Sequence, residues 1–212
     1  MLLYPSLMGA NQLTLADIIN TLEPWCAGFH LDTMDGHAAP NITGGPCWTN
    51  AIAHATKKPV WVHLMVTDPV LWIKQLDLKT ASMVDFQYEG TTNHHNVLAA
   101  IKKKGYKAGI SIAPETSLEK LYTLIPFCDY ITVMGVKPGF SGQLYIPETT
   151  KRLQELSLYI KSQKLPCALA CDGGITEALL PVMASHGVSH AAVASALFNA
   201  PDPISVLKKY TL

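Results

Sequence analysis

The sequence predicts an α/β protein of the TIM (β/α)8 barrel class. Three observations point there. Short apolar runs alternate strictly with longer amphipathic ones, eight such pairs can be counted, and 212 residues allow about 26 per pair, enough for a strand, a helix and two short loops. An open doubly wound sheet is the competing arrangement. With no linker, low-complexity tract or shift in composition along the chain, one barrel domain over residues 1–212 is expected.

The first strand is expected from Leu3 to Leu7 and the first helix from Thr14 to Leu22, where Pro24 ends it. Gly28 to Asp32 reads as the second strand. Asn41 to Pro46 has the turn residues of a loop, Thr49 to Ala55 is a short helix, and Pro59 to Leu64 is the third strand. The next helix opens at Asp68-Pro69, a cap followed by a residue that suits the first helical position. Met83 to Tyr88 is the fourth strand. A helix over Asn93–Lys104 carries Val97, Leu98 and Ile101 on one face and stops at Gly105. Lys107–Ile112 is the fifth strand, Ser117–Leu124 a helix and Tyr130–Val133 the sixth strand. A helix over Pro147–Ser162, a seventh strand over Cys167–Cys171, a helix over Thr176–Ser185, an eighth strand over His190–Val193 and a helix over Pro203–Lys209 complete the pattern.

Composition narrows the partners. Sixteen Lys and Arg balance sixteen Asp and Glu, so nothing in the charge favours a nucleic acid or an anionic membrane. No apolar run reaches the roughly 18 residues that would span a bilayer. The start is acidic and free of arginine, with Lys57 the first basic residue, which argues against targeting for export or to mitochondria. Five cysteines without a CxxC pair read as reduced, and a cytoplasmic protein is expected. Asn41-Ile42-Thr43 fits a glycosylation triplet, read here as chance.

In a parallel barrel, chemistry sits at the C-terminal ends of the strands, and the polar residues fall there. Read with period two, His30, Asp32 and Met34 share one side of the second strand, while Phe29, Leu31 and Thr33 take the other. A His and an Asp on a buried face need water or a partner, and a metal ion is such a partner. His63 ends the third strand and Asp172 the seventh, so four groups from three strand tops could meet as a His2Asp2 site. A second constellation is rich in glycine. Lys137-Pro138-Gly139-Phe140-Ser141-Gly142-Gln143, Asp172-Gly173-Gly174 and Ala194-Ser195 follow the sixth, seventh and eighth strands, where free backbone N–H groups suit a phosphate dianion.

Six segments together carry a family resemblance: Pro5-Ser6-Leu7, His30-Leu31-Asp32-Thr33-Met34-Asp35-Gly36-His37, Pro40-Asn41-Ile42-Thr43, His63-Leu64-Met65-Val66, Val136 through Gln143, and Asp172-Gly173-Gly174. In this combination the chain resembles the ribulose-phosphate 3-epimerase family nearly end to end. That resemblance implies a ribulose-phosphate-binding barrel using one divalent metal ion, whether Zn, Fe, Mn or Co. It would interconvert D-ribulose 5-phosphate and D-xylulose 5-phosphate by two-base proton transfer at C3 through a cis-enediolate, within the pentose phosphate pathway. It further implies that His30, Asp32, His63 and Asp172 hold the metal, with Asp32 and Asp172 also acting as acid and base. Ser6 and His63 would touch the sugar, Met34, Met65 and Met134 would surround the reacting carbons, and Gly139, Phe140, Ser141, Gly142, Gly173, Gly174, Ala194 and Ser195 would hold the phosphate. Similar proteins assemble as dimers or hexamers, so a homo-oligomer acting on a small sugar phosphate is expected.

The residue types suit such chemistry. Inversion needs a base on each face of a planar intermediate, and two carboxylates around one cation provide them. Apolar methionines keep water from the reacting carbon. Four positions depart from the family pattern: Gln87 where His is usual, Lys137 where a neutral or acidic residue is usual, Gly135 for Ser or Thr, and Ala194 for Gly. Gln87 and Lys137 are expected near the active face, where they could adapt the pocket to a hexulose 6-phosphate such as D-allulose 6-phosphate. A non-catalytic phosphosugar-binding barrel, or a lyase using Lys137, is the alternative from another class.

Overall fold

The computed structural model describes residues 1–210, so the expected boundary at Leu212 lies outside the described residues. Eight parallel strands alternate with helices: β1 (Leu2–Pro5), α1 (Leu15–Leu22), β2 (Phe29–Met34), α2 (Pro46–Ala55), β3 (Val60–Met65), α3 (Pro69–Gln75), β4 (Met83–Gln87), α4 (His94–Lys103), β5 (Lys107–Ile112), β6 (Tyr130–Met134), α5 (Glu148–Ser162), β7 (Ala168–Asp172), α6 (Leu179–Ser185), β8 (Val188–Val193), α7 (Ser195–Phe198) and α8 (Pro203–Tyr210). Each strand pairs with its sequence neighbour from β2 round to β8, and β8 pairs with β1. A single parallel bridge between Ser6 and His30 joins β1 to β2, so the sheet closes on itself as a TIM barrel.

Strand parity divides the core in two. Residues such as Leu3, Phe29, Leu31, Val62, Leu64, Phe86, Ile110, Ile131 and Val133 turn outward and pack under the helices with Ile101, Leu153 and Leu156. Full burial of each such side chain contributes about 2 kcal/mol. The opposite parity fills the barrel. Tyr4, Trp61, Met83, Tyr130, Ala170 and Ala192 form its lower layer. Tyr130 fits because its register partner is Gly109, where a Cβ would lie 2.4 Å from the ring.

Above that layer the interior turns polar. The fully buried Asp85 accepts hydrogen bonds from Trp61 Nε1 at 3.3 Å, Ser111 Oγ at 2.6 Å and Thr132 Oγ1 at 2.5 Å. Such a carboxylate survives burial only because donors surround it. The mouth is capped by Met34, Ala39 and Met65, with Met8 against them.

Two expected helices change form. In place of a helix over Ser117–Leu124 there is a 3-10 stretch over Leu118–Leu121, followed by a second over Ile125–Phe127. The N–H groups of Tyr122 and Leu124 reach only three residues back, to Glu119 and Leu121, and Pro126 has no N–H with which to extend an α-helix. The helix expected from Thr176 begins at Leu179, which puts Pro181 in its first turn, where a missing N–H costs nothing. Asp68 caps α3 as expected, accepting from Leu71 N at 3.1 Å. No helix among the described residues is long and apolar enough to cross a membrane.

Candidate active site and metal centre

The inward parity of β2 delivers His30 and Asp32 into the barrel mouth. β3 is in register so that His63 lies beside Asp32, and β7 ends on Asp172. One ligand atom from each of these four residues lies within 4.8 Å of all the others. His63 Nδ1 is 3.6 Å from Asp32 Oδ1 and 3.7 Å from Asp172 Oδ2, and His30 Nε2 is 3.9 Å from Asp172 Oδ2. Both histidines are fully buried, while the two aspartates keep a small exposed surface toward the cleft.

The second nitrogen of each ring is engaged elsewhere. Ser6 Oγ donates to Asp32 Oδ2 at 3.0 Å, so its lone pairs receive the N–H of His30 Nδ1 at 3.1 Å. His63 Nε2 lies 2.9 Å from Gln87 Oε1. The remaining nitrogens, His30 Nε2 and His63 Nδ1, have no hydrogen-bond partner among the described residues and are sealed from solvent. Buried polar atoms are rarely left so. Two imidazole nitrogens without partners, facing two carboxylates, are the donor set a divalent transition ion takes, so these residues fit a metal.

Electrostatics agree with that fit. Burial would lower the pKa of His30, yet the carboxylates of Asp32 and Asp172 outweigh it and raise it. Burial likewise opposes a charged His63, but Asp85, Asp172 and Asp32 hold its pKa well above the ordinary imidazole value. Burial acts to raise the pKa of Asp32, and the two imidazoles reverse this, leaving its carboxyl well below the usual range. The pocket favours positive charge among its carboxylates.

A cleft opens directly above the cluster. It is lined by Ser6, Asp32, Met34, Met65, Met134, Gly139, Phe140, Ser141, Gly142, Asp172, Gly173, Gly174, Ala194 and Ser195, all of them residues singled out from the sequence. Met8, Val136 and Ile175 also line it and were not anticipated. Met8 follows Ser6 by two residues, and that spacing was the available signal. His63 does not line the cleft. It is fully buried beneath the carboxylates, so the expected direct contact with a sugar is not open to it in this arrangement. His37 stays at the surface, its Nδ1 3.8 Å from Asp35. Asp35 serves the loops, accepting from the N–H groups of His37, Ala38 and Thr67 and from Thr67 Oγ1.

The glycine-rich loops are fastened to one another. Asn41 Nδ2 donates to Gly139 O at 2.8 Å, which occupies the amide of the glycosylation-like triplet. A Cβ at Gly135 would lie 2.2 Å from Gly173 O and 2.8 Å from the Tyr145 ring. Gly174 takes φ +67°, and a Cβ there would lie 2.6 Å from the Tyr145 backbone. Glycine at these two positions lets the loops after β6 and β7 meet over the cleft.

Four side chains able to hold a metal ion thus lie under a cleft ringed by the β6, β7 and β8 loops. Residues 2–198 match the ribulose-phosphate 3 epimerase family. This chain belongs to that family. The ribulose-phosphate 3-epimerase of Chlamydia muridarum is 35% identical, covering 100% of this chain and 93% of that protein. The enzyme of the same name from Mycobacterium bovis is 34% identical over 97% of this chain and 90% of its own length. Among solved structures, a tryptophan synthase α-subunit from Pyrococcus furiosus, a mutant form, superposes with a TM-score of 0.64 at 14% identity, covering 99% of this chain and 96% of that one. That likeness shows the barrel alone.

Within this epimerase family, the departures at Gln87 and Lys137 now have positions. Gln87 lies near the active face as expected, but buried behind His63, where it does not line the cleft. Gln87 shares the inward parity of Asp85 on β4 and ends that strand. Lys137 does line the cleft, and its Nζ pairs with Glu115 at 2.9 Å on the exposed rim. The hydrogen bond that Lys137 donates to Glu115 raises the lysine's pKa.

Proposed function

We propose that this chain inverts the carbon next to the ketone of a pentulose phosphate, interconverting D-ribulose 5-phosphate and D-xylulose 5-phosphate. The observation that carries the reading is the meeting of Asp32 and Asp172 at one point under the cleft, with the unpartnered nitrogens of His30 and His63 between them. In this reading the four residues hold one divalent ion, Zn, Fe, Mn or Co. Bound there, the ion supplies Lewis-acid stabilisation for negative charge developing on the sugar.

The chain's own groups do the rest. One carboxylate removes the proton from C3 while the other, on the opposite face, returns one, and the roles exchange with the direction of reaction. Ser6 holds Asp32 by its 3.0 Å hydrogen bond and fixes the His30 ring through the same oxygen. Met8, Met34, Met65 and Met134 shield the reacting carbon from water. Backbone N–H groups of Gly139 to Gly142, Gly173, Gly174, Ala194 and Ser195 take the phosphate, an anchor that sets C3 between the carboxylates.

Two alternatives lose support. A Schiff-base lyase needs a lysine whose pKa is depressed, whereas Lys137 is exposed and its pKa is raised by Glu115. The hexulose reading leaned on Gln87 and Lys137, of which only Lys137 lines the cleft, so one of its two supports goes. A homo-oligomer, dimer or hexamer, belongs to the same proposal, supported by the bare side chains of Leu13, Ile42 and Leu144, 94%, 77% and 92% exposed on loops at the barrel mouth. So does a cytoplasmic setting, supported by five free cysteines.

The test is incorporation of solvent deuterium at C3 of D-ribulose 5-phosphate, followed by NMR, alongside the same assay with D-allulose 6-phosphate. Exchange with the pentulose supports the assignment. Exchange confined to the hexulose, or none in metal-replete protein, overturns it.

A further inference from the structure

We propose that Gln87, oriented by Glu89, is a positioning residue that fixes which ring nitrogen of His63 faces the two catalytic carboxylates. The inference rests on the metal-dependent reading above and concerns groups behind the site.

Glu89 sets the polarity, because a carboxylate only accepts hydrogen bonds. Its Oε1 takes the N–H of Ala113 at 3.1 Å, and its Oε2 takes Gln87 Nε2 at 2.5 Å. The Ala113 carbonyl, in the next peptide unit, is held in turn by Arg152 Nη2 at 3.2 Å, which ties this residue from its other side. The NH2 end of the Gln87 amide must therefore point at Glu89, and its oxygen must point the other way, at His63 Nε2, 2.9 Å off. An amide oxygen is an acceptor, so Nε2 must carry the proton. In the neutral ring that would bind a metal, Nδ1 then keeps its lone pair, aimed between Asp32 and Asp172. Were Nε2 left without an acceptor, the proton could move to Nδ1 and remove the lone pair from the cluster.

His30 is fixed in the opposite sense. Its Nδ1–H goes to Ser6, and Nε2 faces inward. The two rings thus need separate devices, and Ser6 cannot serve both. The Gln87 device is a relay of polarity, which a neutral imidazole could also provide by accepting at one nitrogen and donating at the other. An apolar side chain could not.

The experiment compares the full-length parent with Gln87→Met, Gln87→His and Glu89→Gln. Two quantities are read: the exchange-protected Nε2–H resonance of His63 in metal-free, 15N-histidine-labelled protein, and the affinity for Zn2+ and Mn2+ by competition titration. Thermal melting reports that each variant is folded. Gln87→Met is expected to lose the protected resonance and to bind the metals about 10- to 100-fold more weakly. Gln87→His is expected to keep both, with affinity within about threefold. Glu89→Gln preserves the shape but lets the Gln87 amide turn over, so it should weaken both signals even if Gln87→Met does not fold.

Parent-like resonance and affinity in Gln87→Met or Glu89→Gln would overturn the proposal, as would a Gln87→His variant that falls as far as Gln87→Met. A parent that binds neither metal would instead strike the functional reading. The resonance in metal-free protein would still decide the relay.

Discussion

Asp32 and Asp172 stand within 4.8 Å of each other across the barrel mouth, with His63 Nδ1 3.6 Å from one and 3.7 Å from the other. This closeness makes their substitution the most direct probe of the reaction. Asp32→Asn and Asp172→Asn should each reduce turnover of D-ribulose 5-phosphate by about 10²- to 10⁴-fold or more, as expected for loss of a positioned acid or base. Steady-state rates in both directions check this. A variant retaining parent turnover would show that its carboxylate is not one of the pair.

Metal removal should act on stability as well as rate. Chelation is expected to abolish epimerisation. Returning a divalent ion at about 100 times its dissociation constant should stabilise the fold by about 2.7 kcal/mol, seen as a rise in melting temperature. His30→Ala and His63→Ala should flatten that rise. A melting curve indifferent to divalent ions would contradict the site.

His190 gives a stability prediction away from the cluster. Burial first, then Lys107 and the N-terminal ammonium, lower its pKa to about 4. In the unfolded chain the ring takes up its proton near pH 6.5, so between about pH 6.5 and 4 the unfolded state binds more protons than the folded one. Stability should therefore be full above pH 6.5 and fall as pH drops toward 4, by about 1 to 2 kcal/mol after allowing for the ring's partial exposure. Urea melts of the parent and His190→Asn across this range should differ in slope. Superimposable profiles would exclude the residue as a source.

Gly135→Ser should separate the loops after β6 and β7, because the new Cβ meets Gly173 O at 2.2 Å. A destabilisation of about 1 to 3 kcal/mol is expected from such overpacking, with a raised KM for the phosphorylated sugar. Unchanged melting temperature and KM would mean the loops yield freely.

Lys137→Met breaks only an exposed ion pair with Glu115. Turnover should stay within about threefold of the parent, since exposed pairs contribute little. Loss of activity with metal affinity intact would restore the lyase reading.

Much of the architecture was legible in the chain. The period-two pattern of Phe29-His30-Leu31-Asp32 assigned each side chain to a face before any coordinates, because a strand buried on both sides must still sort core from site. Asp68-Pro69 and Gly105 marked helix ends through backbone chemistry local to a few residues. The segment from Ser117 to Leu124 misled because its apolar spacing suits a helix, while the 3-10 form depends on which N–H groups can reach four residues back.

Gln87 marks the other limit. Its place near the active face was legible, but whether it met substrate or the back of His63 depended on how the closed sheet sets β4 beside β3. The sequence by itself determined the alternating units, the inward faces and the four His and Asp side chains that meet at the barrel mouth, since these follow from short-range periodicity and side-chain chemistry. Only the tertiary structure decided that Ser6 and Gln87 hold His30 and His63 by different nitrogens, and that Gly135 and Gly174 carry two loops against Tyr145. Those relations depend on closure of the sheet, which sets distances between atoms that the linear chain keeps far apart.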